Sequence, residues 1–262
     1  MSSSRIPLDS TPLSRRVMHP GHSVGSENLV LICNSPLFQG LTECECEEVA
    51  YYAGKRIFGR NEVLFGQGEP IREFILLKCG CVKHTQVDSK GNEVLLRFCT
   101  AGDFASVFSG SASYTHTCSA KATRPSLALV WDLERIQRFL GQCPHMGRNI
   151  SRVLATQLQE MEDRFRELAT ETMSRRLALV LSRLAAQIGK ATSEGIQISI
   201  TREELAQMMG STVFTVSRQL SEWSAQGSLL SRRKAVIMPY AGQIGLEYSP
   251  LASRHCSNIR PN

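Results

Sequence analysis

The stretch TREELAQMMGSTVFTVSRQLSEW, Thr201 to Trp223, constrains this chain most, because its residue types suit two short helices joined at a single glycine. Thr201 is placed to cap the first helix, and Glu204, three residues on, to close a capping box. Ala206 is small where two helices must cross closely, Gly210 tolerates the positive φ of a tight turn, and Val216 supplies an apolar anchor for the second helix. Small residue, glycine and valine thus stand four and six residues apart, the spacing of a helix-turn-helix. That motif implies double-stranded DNA as a partner. Charge agrees: from Glu171 to Tyr240 nine basic residues face five acidic ones, a local surplus of four in a chain of net charge +6. This is the footprint expected of phosphate contacts.

With 262 residues the chain can bury a core in each of two domains. No apolar run approaches the length of a membrane span, and the N-terminal residues lack the apolar block of a signal peptide, so a cytoplasmic protein is expected. In that reducing compartment nine cysteines point to metal, cluster or redox chemistry rather than to a disulfide framework.

Patterning divides the chain into five parts and predicts an α+β fold. Residues 1–27, rich in Ser, Pro and Arg without periodicity, are expected to be mobile. Residues 28–143 begin with a short helical entry over Pro36 to Tyr52. Apolar runs such as EVLFGQGEP, FILLKCGCVKHTQV and SLALVWD follow, separated by glycine-bearing turns, and predict a β-roll of the jelly-roll kind. Asp88 to Gly91 reads as a hairpin turn. In residues 144–171 the apolar positions Leu154, Leu158, Met161, Phe165 and Leu168 recur four, three, four and three apart, an average period of 3.5 that predicts a dimerisation helix. An amphipathic helix lying on its own domain is the alternative. Residues 172–245 hold a helix with Leu177, Val180, Leu181, Leu184 and Ile188 on one face, then the two-helix unit, flanked by the strand-like GIQISI and SLLSRRKAVIMPY. Together these make a winged helix-turn-helix, and residues 246–262 form a tail.

The order of parts resembles the Crp/Fnr superfamily of bacterial transcription regulators over roughly residues 28–240. The matching residues are Gly66 and Gly68, Gly80, Gly91, Gly102-Asp103-Phe104, and the Thr215 to Arg218 sequence TVSR. The resemblance implies a homodimer that binds a palindromic promoter site, contacts RNA polymerase, and changes its DNA affinity when the β-roll senses a signal. Ser217 and Arg218 match the pair with which the family's second helix enters the major groove, and the Arg218 fork suits the O6 and N7 acceptors of guanine. Many members carry a glutamate where this chain has Phe214, which can only pack on a thymine methyl or on protein, so base preference there should differ. Gln219 stands where an apolar residue is usual. Val213 is a further candidate base reader, while Thr201, Arg202, Thr212, Arg232, Arg233 and Lys234 are candidate phosphate contacts, which orient rather than specify.

For the signal, the resemblance argues against cyclic AMP. Nucleotide-binding members have a Gly-Glu-Leu turn and an Arg-Ser or Arg-Thr pair, whereas GDFASVFSGSASYTHTCSAKA here holds no glutamate and no arginine, leaving a cyclic phosphate without its bidentate partner. Iron-sulfur members gather cysteines before the β-roll, and Cys33 stands in the comparable place with Cys44 and Cys46 behind it. No cysteine precedes Cys33, and in a helix Cys44 and Cys46 would point about 200° apart. Haem is a third possibility, through Cys143-Pro144-His145 or through Tyr114, His116 and Cys118, which alternate onto one face if their stretch is a strand. Pro144 is equally explained as the first residue of the following helix. Cys79 and Cys81 would face one way in an extended strand, but Gly80 between them matches a turn glycine. Cys99 and Cys256 have no partner recognisable in the sequence.

No catalytic pattern is present: there is no phosphate-cradling loop, no paired metal-ligand histidines and no Gly-x-Ser-x-Gly nucleophile motif. The alternative of a different class is a β-roll interaction module that does not bind DNA.

Overall fold

The computed structural model describes residues 26–106 and 115–240. The expected mobile segment therefore lies outside the described residues except for its last two positions, which form the first turn of a helix. The tail over 246–262 also lies outside. The N-terminal domain opens with helix α1 (Ser26–Asn34), a 3-10 turn (Pro36–Phe38) and helix α2 (Glu43–Tyr51). The single helical entry expected over Pro36 to Tyr52 is thus broken, because Thr42 caps α2 with a full capping box to Glu45 and stops the helix from extending backwards.

Strands β1 (Gly54–Phe58), β2 (Val63–Phe65), β3 (Glu73–Val87), β4 (Glu93–Cys99) and β5 (Ser119–Asp132) then form one antiparallel sheet in the order β1-β5-β3-β4, with β2 also paired to β5. β3 and β4 meet at the predicted hairpin, where Asp88 Oδ1 accepts the backbone N–H groups of Lys90 and Asn92 at 2.8 and 2.9 Å. The run Phe74-Ile75-Leu76-Leu77 is buried on both faces. Phe74 and Leu76 pack with Phe38, Trp131 and Met146 under the helices, while Ile75 and Leu77 line the inside of the roll with Phe58, Phe65 and Val82. This accounts for a continuous apolar run where a half-exposed strand would alternate.

Gly80 bends β3. Its φ is +105°, and a Cβ there would fall 2.1 Å from Ser126 Oγ and 2.5 Å from Ser126 Cα. The register of β3 against β5 slips on either side of it, so Cys79 is exposed and Cys81 buried, and the two thiols do not share a face.

Helix α3 (Leu133–Gln142) leads into α4 (Pro144–Thr170), 27 residues and about 40 Å long, with Pro144 in its first turn as expected. Leu154, Leu158, Met161, Phe165 and Leu168 are all exposed, Phe165 by 74%, so the helix does not lay this seam on its own domain. At the other end the carboxylate of Glu167 accepts both guanidinium N–H groups of Arg183 at 2.6 and 2.9 Å, tying α4 to α5 (Met173–Ile188).

The C-terminal domain continues with β6 (Lys190–Thr192), β7 (Gly195–Ile198), α6 (Arg202–Met209), α7 (Val213–Ala225), β8 (Leu230–Arg232) and β9 (Ala235–Met238), the strands ordered β6-β7-β9-β8. Its core of Leu177, Leu181, Leu205, Val216, Leu220 and Trp223 is continuous with Cys81, Leu95 and Phe98 of the β-roll. Lys83 Nζ meets Glu204 Oε1 at 3.2 Å and Gln207 Nε2 donates to Glu93 Oε2 at 2.9 Å, so α6 rests on the β3–β4 hairpin.

Gly80→Ala combines a backbone conformation that side chains rarely adopt with direct overlap on Ser126. It should lower unfolding stability by about 2–4 kcal/mol, read as a reduced urea midpoint with an unchanged m-value.

Candidate nucleic-acid interface

The helix-turn-helix forms from the residues that signal it. Thr201 Oγ1 accepts the Glu204 N–H at 3.1 Å, and Glu204 Oε2 in turn accepts the Thr201 N–H at 3.0 Å. α6 ends at Gly210, whose φ of 57° and ψ of 41° are left-handed. Thr212 caps α7 by accepting the Thr215 N–H at 3.1 Å. Ala206 and Val216 are buried at the crossing, with Leu205, Met209, Leu220 and Trp223 behind them.

This packing decides which face of α7 is free. Val216, Leu220 and Trp223 point inward, so Phe214, Ser217 and Arg218, one or two residues offset from Val216, lie on the outer side, and Val213, three residues before Val216, is exposed because it begins the helix. Phe214 is 76% exposed, which removes core packing as its role in this chain. Arg218 is exposed and makes no ion pair among the described residues. An exposed guanidinium and an exposed phenyl ring on one helix face can reach base edges: the first donates to acceptors, the second contacts a thymine methyl.

The candidate phosphate contacts divide. Arg233 and Lys234 form the exposed two-residue turn between β8 and β9, the tip of the wing. Arg232 is held by Glu194, whose two carboxylate oxygens accept from Nη2 at 2.9 and 2.8 Å. Arg202 is half-buried with Nη2 donating to Ser231 Oγ at 3.2 Å. The hydroxyls of Thr201 and Thr212 are engaged in their caps, so what these helix starts offer a phosphate is mainly backbone N–H.

The sensor candidates require corrections. Tyr114 lies outside the described residues. His116 and Cys118 precede β5 and do not lie in a strand, yet both are buried with Thr117 exposed between them, so these two do alternate onto one face, turned into the roll. His116 stacks on Phe65, centroids 3.7 Å apart and planes 9° from parallel. Cys118 Sγ lies 3.8 Å from Nδ1 of His84, and Cys99 Sγ lies 3.7 Å from Nε2 of the same ring. Cys99, without a recognisable partner in the sequence, thus has one on the neighbouring strand β3. Arg97 Nε completes the group by donating to His84 Nδ1 at 3.3 Å.

His84 is 1% exposed. Burial, and after it the charge of Arg97, push its pKa down to about 3, while burial pushes the Cys99 thiol up to about 12 and the Cys118 thiol in the same direction. Inside the roll a neutral imidazole and two protonated thiols are therefore hydrogen-bonded together, with the Arg97 guanidinium against them. His84 and Arg97 were missed because neither belongs to a motif, although counting outward from the Asp88 turn pairs them to within one residue, the offset being a bulge between His84 and Thr85.

The cysteines before the roll are not brought together as a set. Cys33 on α1 and Cys44 on α2 are exposed, whereas Cys46, two positions after Cys44, is buried. Among the described residues no three His, Cys, Asp or Glu side chains converge as metal ligands, so this donor set does not fit a cluster. Cys143 does not fit a haem ligand either: it is buried with Sγ donating to Glu45 Oε1 at 3.4 Å, while the neighbouring His145 ring contacts Arg148.

A β-roll, a long helix with a bare apolar seam and a winged helix-turn-helix with a free outer face define a DNA-binding transcription regulator with a sensing domain. Comparison with known families agrees. Residues 55–143 match the cyclic nucleotide-binding domain and residues 175–240 the Crp-like helix-turn-helix domain. The chain is 23% identical over 186 residues to electron transport regulator A of Shewanella oneidensis, covering 70% of this chain and 74% of the relative. It is 25% identical over 185 residues to the fumarate and nitrate reduction regulatory protein of Escherichia coli, covering 70% and 73%. Its fold matches that of CLP, the c-di-GMP-responsive global regulator of Xanthomonas campestris, with a TM-score of 0.65 at 20% identity over 76% of this chain and 99% of that one. The chain belongs to the Crp/Fnr superfamily of transcription regulators.

The buried His84 generates an acid-stability prediction. The unfolded imidazole takes up a proton as pH falls through about 6.5, whereas the folded one resists until about 3. His84 therefore leaves stability intact above pH 6.5 and lowers it progressively as pH falls from there towards 3, by up to about 1.4 kcal/mol per pH unit. Between pH 7.5 and 5.0, urea unfolding of the wild type should show a loss about 1–2 kcal/mol larger than that of His84→Gln.

Proposed function

We propose that the chain acts in the cytoplasm as a homodimer that inserts α7 of each protomer into successive major grooves of a two-fold symmetric promoter site, contacts RNA polymerase there, and performs no catalysis. The observation that carries the reading is the outer face of α7, where Arg218 and Phe214 stand exposed while the inner face is fully used in packing. Ser217 completes that face, Val213 lies exposed at the start of the helix, and Arg233 and Lys234 at the wing tip contact phosphate. Arg202 and Arg232, already partnered, mainly hold the wing against α6 and β6–β7. The reading has the seam from Leu154 to Leu168 join the protomers, placing the recognition helices about 34 Å apart, one turn of duplex.

The signal enters through the β-roll and is not cyclic AMP. Of the arginines in the described part of the roll, Arg97 is turned towards His84 and buried Arg56 is paired with Glu73, and the stretch that carries the phosphate-binding arginine in nucleotide-binding members has none in this chain.

Two measurements test the reading. Arg218→Ala should weaken binding to a cognate duplex by about 1–3 kcal/mol with little change on non-specific DNA, and equal cognate binding by the two proteins would sink the assignment. Phe165→Glu, which puts charge in the centre of the seam, should shift sedimentation from dimer to monomer and make duplex binding weaker and less cooperative.

A further inference from the structure

A cleft of about 300 Å³ lies where the β-roll meets the C-terminal domain. Cys79, Gly80, Thr100 and Arg124 line it from the roll, and Gln187 and Lys190 line it from the end of α5 and the start of β6. Neither the His84–Arg97 group nor any candidate DNA contact borders it. A space of this size at a domain junction suits a small organic ligand, and Ala101 and Ile188 give it an apolar wall.

Its charge is of one sign. Arg124 and Lys190 stand on opposite domains, and among the described residues no carboxylate lines the cleft and neither cation makes an ion pair. Arg124 is half-buried, and its Nη2 donates to the Gly80 carbonyl at 2.9 Å, at the bend of β3. That bond uses one of the five N–H groups of the guanidinium and fixes its direction. A neutral carbonyl replaces only part of the hydration lost when a guanidinium is covered, and an anion replaces the rest. Asp103, the acid bonded to the cleft wall, is already engaged: its Oδ2 accepts the Thr100 N–H at 2.8 Å and the Thr100 hydroxyl at 3.2 Å. Gln187 Nε2 donates to the Phe98 carbonyl at 2.7 Å, which ties the C-terminal side of the cleft to β4.

We propose that this cleft binds a small organic dianion, a phosphate monoester or a dicarboxylate, whose charge is shared between Arg124 of the roll and Lys190 of the DNA-binding domain. The Arg124 fork takes an anionic group through charge-assisted hydrogen bonds, and the Lys190 ammonium meets the ligand on its flexible stem. A ligand held there ties the two domains at a point separate from the Lys83–Glu204 and Gln207–Glu93 contacts, so its arrival bears on how α6 and α7 are carried. That regulatory role rests on the reading of the chain as a DNA-binding regulator, whereas the site itself does not.

Cys79, exposed in the cleft wall, reports occupancy. The reduced full-length chain is pulse-labelled with the neutral reagent iodoacetamide at increasing glycerol 3-phosphate or succinate, with ionic strength held constant by chloride, and each cysteine is read by peptide mass spectrometry. Exposed Cys33 and Cys44, outside the cleft, are internal controls. At least one dianion should slow Cys79 labelling severalfold and saturably while Cys33 and Cys44 are unchanged, and the one that does so identifies the ligand's charge as phosphate or carboxylate. Arg124→Gln and Lys190→Gln should each raise the half-protecting concentration about tenfold, the loss of one charge-assisted hydrogen bond. Lys190 is exposed, so its variant keeps the test decisive if loss of the Arg124–Gly80 bond disturbs the bend of β3. Cys79 labelling that ignores both dianions, slowing that is equal at Cys33 and Cys44, or undiminished protection in Lys190→Gln would overturn the site. No DNA is present, so failure here is distinct from failure of the Arg218 assignment.

Discussion

The β3–β4 hairpin is the constraint on which both halves of the molecule depend, because a strand has two faces and this hairpin uses both. Val82 with Cys99 and His84 with Arg97 are paired facing into the roll. Lys83 with Phe98 and Thr85 with Leu95 are paired facing out, where Phe98 and Leu95 enter the core of the DNA-binding domain and Lys83 meets Glu204. The bulge after His84 makes this possible, since without it Leu95 would lose its register with Thr85 and the apolar row under α6 would be broken. A rearrangement inside the roll that shifts His84 or Cys99 therefore shifts the surface on which α6 rests. Glu204 is itself the capping-box residue of α6, so the charge that joins the domains also sets where the first helix of the helix-turn-helix begins.

The interior of the described part of the roll contrasts with what a phosphate pocket requires. A cyclic phosphate needs a buried cation pointed at open space, and the cost of burying that cation is met only by the anion. Here Arg97 is directed at a neutral imidazole, itself bounded by two protonated thiols, and the space beside it is filled by the Phe65–His116 stack. The polar groups are satisfied among themselves. Such a group is stable without a ligand, which moves the search for a signal away from the floor of the roll.

Much of this was legible in the sequence, and what was not has a common cause. Thr201, Glu204, Gly210 and Thr212 act through atoms within four residues of themselves, so the helix-turn-helix could be read locally. The α4 seam could be read from its period, since exposed apolar residues on a long helix keep their spacing whatever else the chain does. His84, Arg97, Cys99 and Cys118 come from three segments whose register depends on a bulge, and no local pattern carries that information. The phosphate candidates show the same limit: Arg202 and Arg232 have the right type and place, but Ser231 and Glu194, remote in sequence, occupy them. The stretch SYTHTCS looked like a strand by alternation, yet His116 is held by paired backbone bonds to Gly68 and Glu69 and ends up stacked on Phe65 before β5 begins.

α4 is where these separate pieces meet. Its first turns are held by Asn149 to the turn between α1 and α2, its middle presents the bare seam, Arg164 donates to the Leu96 carbonyl of β4, and Glu167 binds Arg183 of α5. Each contact belongs to a different part of the chain, and each is a directional hydrogen bond on a rigid rod about 40 Å long. A rod gripped at both ends cannot translate at one end alone. A change in the grip at Asn149 must be taken up by the seam, by the Leu96 contact or by the Glu167–Arg183 corner. The seam is apolar and repeats, so it can slip by a step more cheaply than a bidentate ion pair can break. The corner should therefore hold while the seam adjusts, and the two DNA-binding domains, carried on those corners, would move with the helices and not relative to them.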